Sequence, residues 1–181
     1  MSIPAIAARR TTKVFTGAAM ARATIEALVE AATWAPCHRL TQPWRFAAID
    51  REGIARLCSF VQQPPVCEAV LPRKLPSICE RLAACGAIIQ VTCVLAESEE
   101  QRREDRDATA AAVQNLLLAA HEAGFGSFWS TSPLLTHPAV LRWFGSDPAT
   151  EAHVGTIWLG TPAESPAPPA RRPLAEVLRW A

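Results

Sequence analysis

The run from Asp105 to Ala123 sets Val113, Leu116, Leu117, Leu118 and Ala120 around much of a helical circumference and ends at Gly124, a residue suited to closing a helix. Its polar positions, Gln114, Asn115, His121 and Glu122, are too few to make an ordinary solvent face. Such a helix must be surrounded, either at the centre of its own domain or against another subunit. The remainder of a 181-residue chain, half of it hydrophobic, has to supply that cover, and this length suits a single domain spanning 1–181.

Several segments can provide it. Ala87 to Leu95 is rich in Ile and Val and lies between Gly86 and a charged stretch, which predicts a central strand. Ile25, Leu28, Val29 and Ala32 recur at helical spacing within Thr24 to Trp34, and Pro36 stops that helix. Trp44 to Ile49 forms a short apolar run before Asp50, followed by a helical pattern through Ile54, Leu57, Cys58 and Val61. Residues 62–76 hold Pro64, Pro65, Pro72 and Pro76, which exclude one continuous helix and suggest a mobile or covering segment at a pocket rim. A short extended piece follows Gly124, a helix is expected around His137 to Phe144, and His153 to Gly160 reads as another buried strand. No internal repeat is visible.

A formal net charge of +1 gives no field that would gather nucleic acid or an acidic membrane surface, so neither partner is implied. The first residues lack a long apolar run, which reads as neither a secretory signal nor an anchor and sets a cytoplasmic location as the expectation. Six cysteines occur without a C-x-x-C pair and read as reduced thiols. Cys37 and His38 are adjacent, but sequence neighbours rarely face one another and no second ligand pair is evident, so no metal site is expected.

Two loops carry chemistry. Arg9-Arg10-Thr11-Thr12-Lys13 combines guanidinium forks, hydroxyls and an ammonium, a set able to hold phosphate; by composition alone it also reads as a solvated basic turn. Ala35 to Phe46 is stiffened by Pro36 and Pro43, so Cys37, His38, Arg39 and Gln42 are presented in a restricted geometry, a wall for a flat anionic ligand. His38 reads equally as a pocket residue or a structural histidine. Phe128 and Trp129, in Gly124 to Pro133, are either core packing or a second wall. Last comes Thr161 to Pro173, a stiff proline-rich arm that presents Leu174, Val177, Leu178 and Trp180; it can reach another subunit or remain a disordered tail.

Taken together, the basic turn, the helix running into Ala35-Pro36 and Gln42-Pro43-Trp44, the Gln114-Asn115 helix, Gly124 to Trp129, His153 to Pro162 and Arg171-Arg172-Pro173-Leu174 resemble the short members of the FMN-dependent nitroreductase family. The resemblance implies an α+β fold, with a mainly antiparallel central sheet flanked by helices, in an intertwined homodimer with two FMN molecules at its interface. It implies that the arm, 161–181, packs on the partner. Carried over by position, Arg9, Arg10 and Thr11 contact the FMN phosphate and ribityl chain, and Lys13 approaches the pyrimidine edge, where a cation favours reduced flavin. Pro36, Cys37, His38 and Arg39 form a loop beside the cofactor with Gln42 supporting it. Phe128, Trp129, Ser130 and Thr131 line the other side, with His38 and Trp129 as pocket residues, and Arg172 with Arg171 clamps phosphate.

The implied chemistry is hydride transfer on FMN rather than on a protein nucleophile. NADH or NADPH reduces the flavin and leaves, and an electron-poor small molecule such as a nitroaromatic or quinone takes its place in a ping-pong cycle. Two other readings stay open: a flavin-dependent oxidase or dehydrogenase of an organic substrate, and a catalytically silent flavin-binding protein. Thr11, Cys37 and Ser132 stand where serine, serine or aspartate, and glycine are frequent in the family.

Overall fold

The computed structural model describes residues 3–69 and 73–181. A short helix, α1 (Pro4–Ala8), leads through an extended segment to α2 (Arg22–Thr33), a 3₁₀ turn at His38–Leu40 and strand β1 (Trp44–Ile49). Helices α3 (Arg51–Val61), α4 (Val66–Ala69) and α5 (Leu75–Ala83) precede β2 (Ala87–Val94). The long α6 (Glu99–Glu122), β3 (Gly126–Ser130), α7 (Pro138–Trp143), β4 (Glu151–Gly160) and α8 (Leu174–Val177) complete the chain. The strands form one antiparallel sheet in the order β1-β2-β4-β3, so the α+β architecture expected from the sequence is present.

The period of two along β2 divides the core. Ala87, Ile89, Val91 and Cys93 face α2 and α6, joining Leu28, Val113, Leu116 and Ile157 in one cluster. Ile88 and Trp158 face the other way, into a cluster with Ile54, Leu57 and Val61 of α3, Leu82 of α5 and Leu134 and Leu135 before α7. Covered on both faces, β2 is buried at every position from Ala87 to Cys93: Ala87, Ile88 and Ile89 are apolar in succession, and even Gln90 and Thr92 are out of water.

Two elements differ from expectation. Helix α6 begins six residues before Asp105, because the Ser98 side chain accepts the Gln101 N–H at 3.2 Å and Glu99 and Glu100 occupy the positive end of the helix dipole. Its first half is charged, so apolar periodicity alone does not reveal it. The proline-rich stretch 62–76 is in part a piece of core: Val66 and Leu75 are buried against Phe15, Ile54 and Leu57. Pro76 sits in the first turn of α5, where a missing N–H costs nothing. Pro72, part of the suggested covering segment, lies outside the described residues. Among the described residues no helix is long and apolar enough to cross a membrane, and all six cysteines are free.

The arm starts against its own chain. Phe15 bridges Pro162, the Thr16 N–H donates to the Thr161 carbonyl at 3.0 Å and the Ala163 N–H to the Val14 carbonyl at 3.0 Å. The root of the segment 161–181 is therefore stitched to its own chain, since strand-like residues 14–16 offer it free backbone groups. Its apolar end is exposed: Trp180 is 90 % accessible, and Leu174 and Val177 also face outward.

Candidate functional site

The residues singled out in the sequence gather at two places on opposite ends of α6. At the first, Arg9, Arg10 and Thr11 leave α1 and join the edge of β3: Thr11 pairs with Ser127, and the Thr12 N–H donates to the Ser127 carbonyl at 2.9 Å. Gly126 makes that approach possible, because a Cβ there would stand 2.8 Å from Thr12 Cβ. The arm passes over this turn, and Arg9, Arg10, Thr11, Pro169 and Arg171 line a cleft of about 230 Å³. Burial, reinforced by the nearby charges of Arg10 and Arg171, pulls the Arg9 pKa below its ordinary value. Among the described residues no ion pair involves Arg9, Arg10, Arg171 or Arg172. Like charges brought together without a counterion raise the energy of the apo protein, and an anion in the cleft relieves it. Arg10 is partly committed already, with Nη1 donating to the Ala7 carbonyl at 2.6 Å and to that of Arg9 at 2.7 Å.

Beside the cleft, Lys13 Nζ lies 5.2 Å from the centre of the Phe128 ring, a cation–π contact at an exposed lysine. Phe128 itself packs edge-on against Trp158, with ring centres 5.5 Å apart. Ser130 is buried and its Oγ accepts the Ser132 N–H at 3.3 Å, while Thr131 is exposed. Trp129 points to the opposite face of the sheet, as alternation along a strand requires. Its indole N–H donates to the Val154 carbonyl at 3.2 Å, and the ring lies so close to Gly155 that a Cβ there would meet Nε1 at 1.8 Å. Trp129 is thus mainly a packing residue. Arg171 rather than Arg172 lines the cleft, the reverse of the emphasis drawn from the sequence.

The second place is the loop from Pro36 to Gln42. Arg39, Leu40 and Gln42 all have positive φ, 55°, 52° and 43°, an arrangement that L-residues other than Asn and Asp seldom adopt. Strain of this kind persists only where surrounding contacts impose it. Here α6 does so: His38 Nδ1 and Glu104 Oε2 are 2.8 Å apart, and the Thr41 hydroxyl donates to Asp105 Oδ1 at 2.6 Å. Asp105, only 4 % exposed, also accepts from Gln101 Nε2 at 2.9 Å. Pro36, Cys37 and His38 line a cleft of about 470 Å³ with Glu104 and Asp107. Cys37 is half-buried and packs against the core cluster that includes α6. No group of three or more His, Cys, Asp or Glu residues among the described ones is placed to hold a metal ion.

Thr41, Glu104 and Asp105 were not identified from sequence. Their partners lie more than sixty residues away, and the two acids sit in the half of α6 that carries no apolar period. The separation of the two places follows from the same helix. His121 lines a neighbouring pocket that shares Arg10 with the basic cleft, and Glu104 borders the loop, which at 1.5 Å rise per residue puts the two about 25 Å apart along α6.

A match to the family model described as the Nitroreductase family extends over residues 6–161, most of the chain, with the basic turn and the Pro36 to Gln42 loop but not Arg171. The chain belongs to the nitroreductase family. Among curated nitroreductases it is 31 % identical over 178 residues to the Bacillus subtilis protein called "Putative NAD(P)H nitroreductase YfhC", covering 94 % of this chain and 89 % of that one. It is 27 % identical over 139 residues to "Putative NAD(P)H nitroreductase YdjA" of Escherichia coli K12, covering 76 % and 75 %. Among solved structures, a nitroreductase-like family protein from Bacillus cereus superposes with a TM-score of 0.84 at 26 % identity, over 98 % of this chain and 94 % of the other. A Desulfovibrio desulfuricans protein, a "putative nitroreductase in complex with fmn", gives 0.75 at 27 %, covering 98 % and 95 %. For a nitroreductase, the sequence expectations of fold and family therefore hold.

Proposed function

We propose that this protein is an FMN-dependent, NAD(P)H-oxidising reductase of electron-poor small molecules such as nitroaromatics or quinones, and that each flavin site is shared between two copies of the chain. The observation that carries the reading is the cluster of Arg9, Arg10 and Arg171, with no acidic partner among the described residues, next to Lys13 and the β3 edge. A phosphate suits the cleft because guanidinium groups fork onto its oxygens and neutralise their own repulsion. The Thr11 hydroxyl and Arg172 stand close in sequence to these groups as further donors. FMN, when bound, supplies two-electron transfer between a nicotinamide and an acceptor. Lys13 then offsets the negative charge that reduction adds at the ring edge, and Phe128, Ser130 and Thr131 wall the ring.

A flavin anchored on the basic turn cannot also reach the Pro36 to Arg39 loop of its own chain across about 25 Å of α6. Two copies related by a twofold axis, with their α6 helices antiparallel, bring the loop of one to the cleft of the other. The arm supports such an arrangement. The open edge of β1 and α2 border a groove of about 670 Å³ lined by Met20, Ile25, Val29 and Phe46, with Glu26 and Asp50 at its rim. Leu174, Val177, Leu178 and Trp180 of a partner's arm fit it in apolar character, and Arg179 in charge. The name of the Desulfovibrio relative's complex and those of YfhC and YdjA add weight to the choice of FMN and NAD(P)H.

The test is the visible absorption spectrum of the purified protein, followed by anaerobic addition of NADH or NADPH. A flavin band that bleaches supports the reductase. A band that stays oxidised shifts weight to an oxidase or a silent flavin-binding protein, and a protein that takes up no FMN on reconstitution contradicts the site assignment.

A further inference from the structure

We infer that His38, positioned by Glu104, delivers the proton that accompanies hydride transfer to the acceptor. This rests on the shared flavin site proposed above. Glu104 Oε2 fixes His38 Nδ1 at 2.8 Å, which makes Nδ1–H the donor to the carboxylate and leaves Nε2 as the free end of the ring. No protein group bonds Nε2 among the described residues, and the side chain is 57 % exposed, in the cleft it lines with Cys37 and Asp107. The loop that carries it holds three strained residues and is pinned a second time by Thr41 on Asp105. A histidine needed only for packing would not require a strained loop, two anchors and an open ring nitrogen. The arrangement is the one expected of an acid held in one tautomer and aimed at a bound molecule.

The chemistry closes. A quinone becomes a hydroquinone by gaining one hydride and one proton. The hydride carries both electrons and comes from the reduced flavin. The proton leaves Nε2 of the imidazolium, the electron pair of that N–H bond stays on the ring nitrogen, an O–H bond forms on the acceptor, and water reprotonates the ring. Glu104 is a positioning residue, because it acts on the acceptor only through His38.

The experiment compares two oxidants on the FMN-loaded protein: a quinone, which needs a proton, and ferricyanide, which takes electrons alone. With FMN held at saturation, His38→Gln is expected to lower kcat for the quinone roughly 10- to 100-fold more than kcat for ferricyanide. Equal loss with both oxidants, or an unchanged quinone rate, overturns the proposal. A readout free of turnover uses the imidazole ¹⁵N shifts, with His38 assigned by its absence from the His38→Gln spectrum among the four histidines of the chain. The neutral ring should be the Nδ1–H tautomer in the native protein and a mixture in Glu104→Ala. A native Nε2–H tautomer, or shifts indifferent to Glu104→Ala, removes Glu104 from its role. Wild-type protein that binds no FMN defeats the shared-site reading itself, an outcome separable from failure at His38 alone.

Discussion

The two ends of α6 solve the problem of presenting polar groups in different ways. At the C-terminal end, the basic turn is ordinary extended backbone stitched to β3, and its tension is electrostatic: Arg9, Arg10 and Arg171 share a cleft with no acid among the described residues. At the N-terminal end, the polar groups are paired, His38 with Glu104 and Thr41 with Asp105, and the tension is in the backbone of Arg39, Leu40 and Gln42. A site whose cost is electrostatic is relieved by its ligand. One whose cost is conformational is borne by the fold, so it stays in shape whether or not a ligand is present.

The largest effect should come from separating the ends. Removing residues 174–181 takes away Leu174, Val177, Leu178 and Trp180 while leaving Arg171 in place. Sedimentation should show a shift from dimer toward monomer, with FMN affinity falling roughly 1,000-fold or more because each site loses every contact from the partner's loop; a truncated protein that stays dimeric and keeps its flavin would show that the arm has no such role. Next in size, Arg9→Ala with Arg171→Ala should weaken FMN about 100-fold or more by calorimetry, since each charge-assisted bond is worth roughly 1.5–3 kcal/mol. The apo protein of the same variant should melt no lower than the wild type, because repulsion is removed with the charges.

The loop end should respond in the opposite sense. Thr41→Val leaves the buried Asp105 carboxylate short of a donor and should cost about 1–3 kcal/mol of stability in urea even without FMN. If the variant is as stable as wild type, the loop is not held by this contact. The smallest effect distinguishes neither end but checks the core between them. Burial pushes the Cys58 thiol up to about 12, with Cys79 and Cys85 adding to it, and Cys85 likewise to about 12. Their unfolded pKa is near 9.0, so the unfolded chain sheds protons first as pH rises and stability should decline between pH 9 and 12. At neutral pH, thiol reagents should modify half-buried Cys37 before Cys85, which is fully buried. Modification of Cys85 in native protein at a matching rate would contradict the burial.

How much of this could be read in the sequence differs between the same two ends. The strands and the buried half of α6 were legible because apolar period survives translation into structure: Trp44–Ile49 and Ala87–Val94 fall where the pattern puts them. The chemical character of the basic turn was legible too, because charge type is written in Arg9, Arg10 and Lys13. That Arg171 rather than Arg172 returns to it depends on the path of a proline-rich arm, which no local pattern encodes. The direction of Trp129 was also hidden: strand alternation separates it from Phe128, but only Gly155, across the sheet on β4, makes room for its ring. Least legible was the loop. Pro36 and Pro43 signalled rigidity, yet the left-handed residues between them exist because Glu104 and Asp105, distant in sequence, hold His38 and Thr41.

The claim that the two ends meet only across a subunit boundary is tested most directly by complementation. One chain carries Arg9→Ala with Arg171→Ala; the other carries a disabled loop, with Gly residues in place of Cys37, His38 and Arg39. Each is expressed alone and then coexpressed with the other under different tags, and FMN bound per purified homodimer and heterodimer is counted from the flavin absorbance. The account predicts little flavin in either homodimer and about one FMN per heterodimer, because one site then joins an intact cleft to an intact loop. A heterodimer as empty as its parents would place both ends of each site in a single chain and contradict it.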